Sequence, residues 1–229
     1  MASLEKDAAA IDTAKGLANV LRGDEYEKMI SGMAYSTRSP ELREVQLKAR
    51  KFMKDYNTHF RDGDTRDSLA KAREEMLKGI MGRVGTGVYI EPPISVDYGC
   101  NIQIGDNFYS NFHLVILDSG LVTIGNRVQF GPFVSIYSAT HETDVQSRRD
   151  KIQFTKPVII GDDCWIGGNT TIIAGVTIGS MYSRFLCYPC FQGCTIGAGS
   201  VVTRDIPEFS VAVGSPARVV KNVAPVSDL

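Results

Sequence analysis

The chain shows two different periodicities, one after the other. Near its start, Leu4, Ala8, Ile11, Ala14, Leu17, Ala18 and Leu21 fall on one side of a 3.6-residue helix, so residues 1–25 read as a weakly amphipathic extension, helical or mobile. From residue 26 to about 80 the pattern is again helical and strongly charged. Ser39-Pro-Glu-Leu reads there as an N-cap, a first-turn proline and an acidic first turn. Leu42, Val45, Ala49, Phe52 and Met53 supply the apolar stripe behind that start. Glycines between residues 82 and 87 end the helical part, and short β-branched runs follow.

Beyond Ile94 the repeat becomes six residues long. Ile124-Gly-Asn-Arg-Val-Gln is followed by Phe-Gly-Pro-Phe-Val-Ser and Ile136; Ile160-Gly-Asp-Asp-Cys-Trp is followed by Ile-Gly-Gly-Asn-Thr-Thr and Ile-Ile-Ala-Gly-Val-Thr; Ile196-Gly-Ala-Gly-Ser-Val closes the series. Ile104-Gly-Asp-Asn-Phe-Tyr opens it. An aliphatic residue every sixth position, followed by a small or turn-prone one, fits short strands joined by tight corners with the aliphatic side chains stacked inside a solenoid. A β-sandwich would place its turns every 8 to 12 residues, about, and would not hold this register.

At 229 residues the chain has room for one main domain with an appendage. Lys plus Arg (25) balance Asp plus Glu (26) without a block of either sign, which argues against nucleic-acid or membrane-surface partners. No stretch approaches the roughly 20 apolar residues of a membrane span. Acidic residues at 5, 7, 12, 24 and 25 argue against a transit peptide, and no apolar run there has signal-peptide length. Five cysteines, three of them crowded at 187, 190 and 194, point to a reduced, cytoplasmic protein rather than a disulfide framework. Cys187-Tyr-Pro-Cys190 has the spacing of half a zinc site, but nothing in the sequence completes it, so no metal is expected.

Several blocks carry a specific resemblance: Glu91-Pro-Pro-Ile, Asp97-Tyr-Gly-Cys-Asn-Ile, Gly105-Asp-Asn-Phe-Tyr-Ser-Asn-Phe, Thr140-His-Glu-Thr-Asp, Cys164-Trp-Ile-Gly-Gly, Gly197-Ala-Gly-Ser-Val-Val-Thr-Arg-Asp-Ile-Pro and Val213-Gly-Ser-Pro-Ala-Arg-Val-Val. With the helical block they resemble the maltose and galactoside O-acetyltransferases over about residues 26–223. The resemblance implies a mainly β protein: a left-handed parallel β-helix with three flat faces over residues 81–223, a helical subdomain over 26–80, and a short tail at 224–229. It also implies a homotrimer with active sites between subunits, acetyl-CoA as co-substrate, and a small-molecule sugar acceptor. Left-handed crossovers run against the usual chirality of β-strand connections, so the handedness is owed to the resemblance alone.

Acetyl transfer to a hydroxyl needs a base, donors for the oxyanion and a grip on the nucleotide tail. Of three histidines, His59 lies among charged helical residues and reads as solvated, while His113 in the strand-like run 112–117 reads as packing or substrate rim. His141 interrupts the hexads in a polar loop between Ile136 and Ile160, where no core position needs filling, and matches the family's catalytic histidine. Imidazole, titrating ordinarily near about 6.5, accepts a proton at neutral pH without a metal. For the acceptor, the family's binding positions fall on Tyr109, Asn111 and Asp118, and an amide and a carboxylate suit a polyhydroxylated ligand. For acetyl-CoA they fall on Trp165, Gly168, Ala198, Thr203, Arg204, Arg218 and Lys221: small residues let the pantetheine arm lie along the backbone, and the basic trio faces the phosphates. Where the family offers an acidic residue after its aromatic, this chain has Tyr35-Ser-Thr-Arg38, which leaves the sugar open.

Two other readings stay open on the sequence: a hexapeptide transferase with a non-sugar acceptor, such as serine, a nodulation-type oligosaccharide or a xenobiotic hydroxyl, or an inactive β-helical scaffold. The second is kept open by residues 180–191, which put Ile178 and Ile196 18 residues apart where one hexad is expected. Two extra strands there would turn Arg184 and Cys190 inward, and a buried unpaired Arg is costly. The expectation is therefore an insert, a protruding loop near the donor site or a retained-intron product, with an otherwise unbroken repeat.

Overall fold

A computed structural model describes residues 1–180 and 193–225. Residues 181–192, and with them Cys187 and Cys190, lie outside the described residues, as does the tail from 226.

The hexads coil the chain into a parallel β-helix of three faces, visited in turn. The first face stacks Arg83–Val84, Ile102–Ile104, Val122–Ile124, Val158–Ile160, Thr177–Ser180 and Ile206–Pro207. The second stacks Tyr89–Ile90, Tyr109–Ser110, Gln129–Phe130, Trp165–Ile166, Thr195–Ile196 and Ser210–Gly214, closed by the antiparallel strand Ala217–Asn222. The third stacks Ile94–Val96, Leu114–Leu117, Ser135–Tyr137, Thr171–Ile172 and Val201–Val202.

Register explains why the sixth residue is aliphatic. Val84, Ile104, Ile124, Ile160, Ile178 and Ile206 pair directly across the first face. Val96, Ile116, Ile136, Ile172 and Val202 do so across the third. All except Val84 are buried, so each coil sets its aliphatic side chains on those of the coil before. The tight corners need left-handed backbone, taken by Asn107, Arg127 and Asp163 at one edge and by His113, Phe133 and Asn169 at the next. His113 thus begins no strand; its ring stacks on that of Phe133, centroids 4.4 Å apart.

Four helices precede the coils: α1 (Ala8–Lys15), α2 (Asp24–Ile30), α3 (Pro40–Asn57) and α4 (Arg66–Lys78). The extension is less helical than its spacing predicts. α1 stops at Gly16 and Leu4 is 93% exposed, because the short helix buries only Ala14. α3 buries Leu42, Val45, Ala49 and Tyr56, and Tyr56 donates its hydroxyl to the Ile90 carbonyl at 2.7 Å, seating the helices on the first coil. Ser39 starts this helix but does not cap it: its hydroxyl goes to the Glu41 carboxylate instead of a backbone N–H. α4 carries a reciprocal capping box between Thr65 and Ser68.

Candidate active site

Twenty residues separate Ile104 from Ile124, but 36 separate Ile124 from Ile160, because the chain leaves the coil after Ser135–Tyr137. The excursion forms Ala139–Thr140, a short helix Val145–Arg149, here α5, and Ile152–Thr155. Ile152–Thr155 pairs antiparallel with Ala139–Thr140 on one side and with Tyr35–Ser36 on the other. In this register Tyr35 stands opposite Gln153 and Thr140 opposite Phe154, and His141 follows directly after the strand Ala139–Thr140. His141 is exposed, and its Nδ1 lies 3.3 Å from the Ile152 carbonyl oxygen. A carbonyl only accepts, so Nδ1 carries the proton and Nε2 keeps a free lone pair. Arg148 donates to the carbonyls of Glu142, Thr143 and Asp144 at 3.1, 2.7 and 3.3 Å and so folds the loop on itself.

Asp118 stands at the corner where the third face meets this excursion, with its carboxylate turned toward the backbone of the preceding coil. It is fully buried. Its Oδ1 accepts from the N–H groups of Asp97 and Tyr98 at 3.0 and 2.9 Å, and its Oδ2 from that of Asn101 at 3.4 Å. Burial pushes its carboxyl up to about 7, against the amide donors that favour the charged form. It is an internal anchor between two coils. His59 departs from the solvated reading: its Nε2 is buried and has no partner.

The remaining candidates lie elsewhere on the prism. On the outer side of the second face, register aligns Tyr89, Tyr109, Gln129, Trp165, Thr195, Val211 and Lys221 in one row. At about 4.8 Å per strand, Trp165 lies about 10 Å from Tyr109 and about 14 Å from Lys221. Tyr109 and Trp165 are 38% and 51% exposed, which leaves both rings open to a ligand. The neighbouring row runs Asn111, Gly131, Gly167, Gly197, Val213 and Arg218. Gly168 and Ala198 follow at the corner toward the third face, joined through the Gly199 N–H and the Gly168 carbonyl at 2.8 Å. A Cβ on Gly167 would stand 2.5 Å from the Ala198 nitrogen, so the coils close there only without one.

Thr203 and Arg204 turn up at the corner between third and first faces, after Val202, on the side from which the His141 excursion leaves. The candidates therefore form two groups. Tyr109, Asn111, Trp165, Gly168, Ala198, Arg218 and Lys221 share the second face and its far corner; His141, Asp118, Thr203 and Arg204 share the opposite corner. The third face lies between them, about 13 Å across for the four-residue strand Leu114–Leu117. Spacing did not single out Arg148, because its contacts are made within a non-repetitive loop. Among the described residues, no three His, Cys, Asp or Glu gather as a metal site, and no helix is long and apolar enough to cross a membrane.

This architecture defines the hexapeptide-repeat acyltransferases. Residues 28–85 match the maltose acetyltransferase hexapeptide capping motif, and 157–180 match the hexapeptide repeat of succinyl-transferase. The chain is 34% identical over 197 residues to the galactoside O-acetyltransferase of Escherichia coli, covering 86% of this chain and 88% of that protein. It superposes on the maltose O-acetyltransferase of Clostridium difficile at a TM-score of 0.78 with 37% identity, covering 89% and 99% of the two chains. A hexapeptide-repeat acetyltransferase of Vibrio cholerae complexed with acetyl-CoA matches at 0.74 with 30% identity, covering 89% and 100%. The chain belongs to the maltose and galactoside O-acetyltransferase family: it is an acetyl-CoA-dependent acetyltransferase on a left-handed β-helix with an N-terminal helical subdomain.

Proposed function

We propose that the protein transfers acetyl from acetyl-CoA to a hydroxyl of a sugar, with His141 as general base. The observation that carries this reading is the Ile152 carbonyl on His141 Nδ1, which leaves Nε2 the acceptor on an exposed ring. Nε2 takes the proton from the sugar hydroxyl as its oxygen attacks the thioester carbonyl. The C–S bond then breaks, the CoA sulfur leaves, and the proton returns to it from the imidazolium. Trp165, Gly168 and Ala198 are the surface for the pantetheine arm, Thr203 contacts the donor from the other group, and Arg204, Arg218 and Lys221 are cations for the phosphates. Tyr109 and Asn111 face the acceptor.

Because the two groups lie on different edges of one prism, the site is completed by a second copy in a homotrimer: the His141 corner of one subunit meets the Trp165 face of the next. The acceptor class is supported by the relatives, which are named for maltose and galactosides. The buried thiols of Cys100 and Cys164 fit a reducing compartment, the cytoplasm. The test is acetyl-CoA turnover with and without a panel of mono- and disaccharides. Turnover that rises with a sugar supports the reading; equal turnover with every sugar and with none overturns it.

A further inference from the structure

The loop that carries His141 is mostly exposed from residue 141 to 151, yet Glu142 is half-buried. What covers it comes from the far end of the chain: the Ala2 N–H donates to Glu142 Oε1 at 3.0 Å. The next residue, Ser3, bridges in parallel to Met33 and donates its N–H to the Gly32 carbonyl at 2.8 Å. Residues 32–33 lead into Tyr35–Ser36, the edge of the small sheet on which the His141 loop is built.

The segment is fastened further back as well. Lys6 Nζ stands 2.8 Å from Asp24 and 2.7 Å from Glu27 on α2, the Ala18 N–H donates to the Gly82 carbonyl at 2.8 Å, and the Asn19 amide donates to the carbonyls of Lys78 and Met81 at 3.1 and 2.9 Å. The capping motif shared with the family begins at residue 28, so this segment lies outside it.

We propose that residues 2–6 form a strap that holds the catalytic loop, with Glu142 as the positioning residue through which it acts on His141. The inference rests on His141 being the base. Glu142 is the next residue in the chain, so pinning its carboxylate restricts the backbone from which the imidazole projects, and proton transfer is sensitive to displacements of about 1 Å. Arg148 ties the loop to itself, the Thr37 hydroxyl holds its far end at the Lys151 carbonyl at 3.4 Å, and Glu142 ties the end next to His141.

The experiment compares Glu142→Ala, Glu142→Gln, deletion of residues 2–5, and the deletion combined with Glu142→Ala, each in the full chain. Glu142→Ala and the deletion should each lower kcat about tenfold and leave KM for acetyl-CoA within about twofold. The combination should be no worse than either alone, because both remove one interaction. Glu142→Gln, which still offers an oxygen to the Ala2 N–H, should restore most of kcat. The melting temperature of Glu142→Ala should match that of the unaltered protein. Unaltered kcat in either single variant, multiplying effects in the combination, or a Gln variant as slow as the Ala variant would each overturn the strap. Undiminished transfer by His141→Ala would instead overturn the base assignment, so the two failures are told apart.

Discussion

At the scale of single residues, the two acidic and basic groups of most interest are placed by opposite physics. Asp118 is kept inside, where burial favours the neutral acid, and its carboxyl rises from the ordinary 3.8 to about 7. A raised carboxyl contributes stability that is complete below about pH 4 and is lost as pH climbs through about 7. Relative to Asp118→Asn, which does not titrate, the unaltered protein should therefore lose unfolding free energy between pH 4 and 8, by at most about 4 kcal/mol at 1.36 kcal/mol per pH unit. Urea unfolding of both proteins across that range checks it; a difference that is flat or grows with pH contradicts the assignment. His141 stays outside, open to a ligand, and His141→Ala is expected to lower kcat about 10²- to 10⁴-fold, roughly 3–5 kcal/mol of transition-state stabilisation, with the fold intact. A stopped assay with unchanged circular dichroism is the measure. That His141 lies outside the coils could be read from the sequence, because a polar stretch breaking an apolar repeat stands out. The burial of Asp118 could not, since the hexads place it at a corner and the amides that enclose it come from residues 97–101, a coil earlier.

At the scale of elements, the repeat was legible because each coil dictates the same demand: an aliphatic residue inside and a small one where coils close. Gly167 tests the second half of that rule. A methyl group there meets the Ala198 nitrogen at 2.5 Å, and the obstacle is backbone, so the coils must part. Gly167→Ala should cost about 1–3 kcal/mol, or roughly 2–10 °C in melting temperature, and should weaken acetyl-CoA binding if Ala198 faces the pantetheine arm. An unchanged melting temperature would mean that the corner is looser than its geometry. The helical part was less legible, because short helices take their limits from tertiary contacts rather than from spacing. Ser39 had the sequence of a cap and bonds a side chain instead. Strand counting also bears on residues 180–191: Ile160 and Ile178 are 18 residues apart, Ile166 and Ile196 are 30, yet both pairs are direct neighbours. Removing those twelve residues leaves the hexad count unbroken, and the shortened chain should fold with an equal or higher melting temperature; a shortened chain that misfolds would show that they are needed.

At the scale of the whole molecule, a six-residue repeat tells which face a residue occupies but not which copy of the chain it serves. That is why the candidates read from the sequence as one site and appear in the structure as two groups on separate edges. If a site joins His141 of one subunit to Tyr109, Asn111 and Trp165 of the next, two inactive variants should repair each other. His141→Ala lacks the base but keeps an intact second face; Asn111→Ala/Trp165→Ala lacks the face but keeps the base. Dissociated, mixed in equal amounts and reassembled, random trimers place an intact base against an intact face in about one site in four, so activity should recover to about a quarter of that of the unaltered protein. Each variant reassembled alone should stay inactive. Were the site built within one chain, no mixture could contain an intact copy and the mixed sample would be as inactive as its parents.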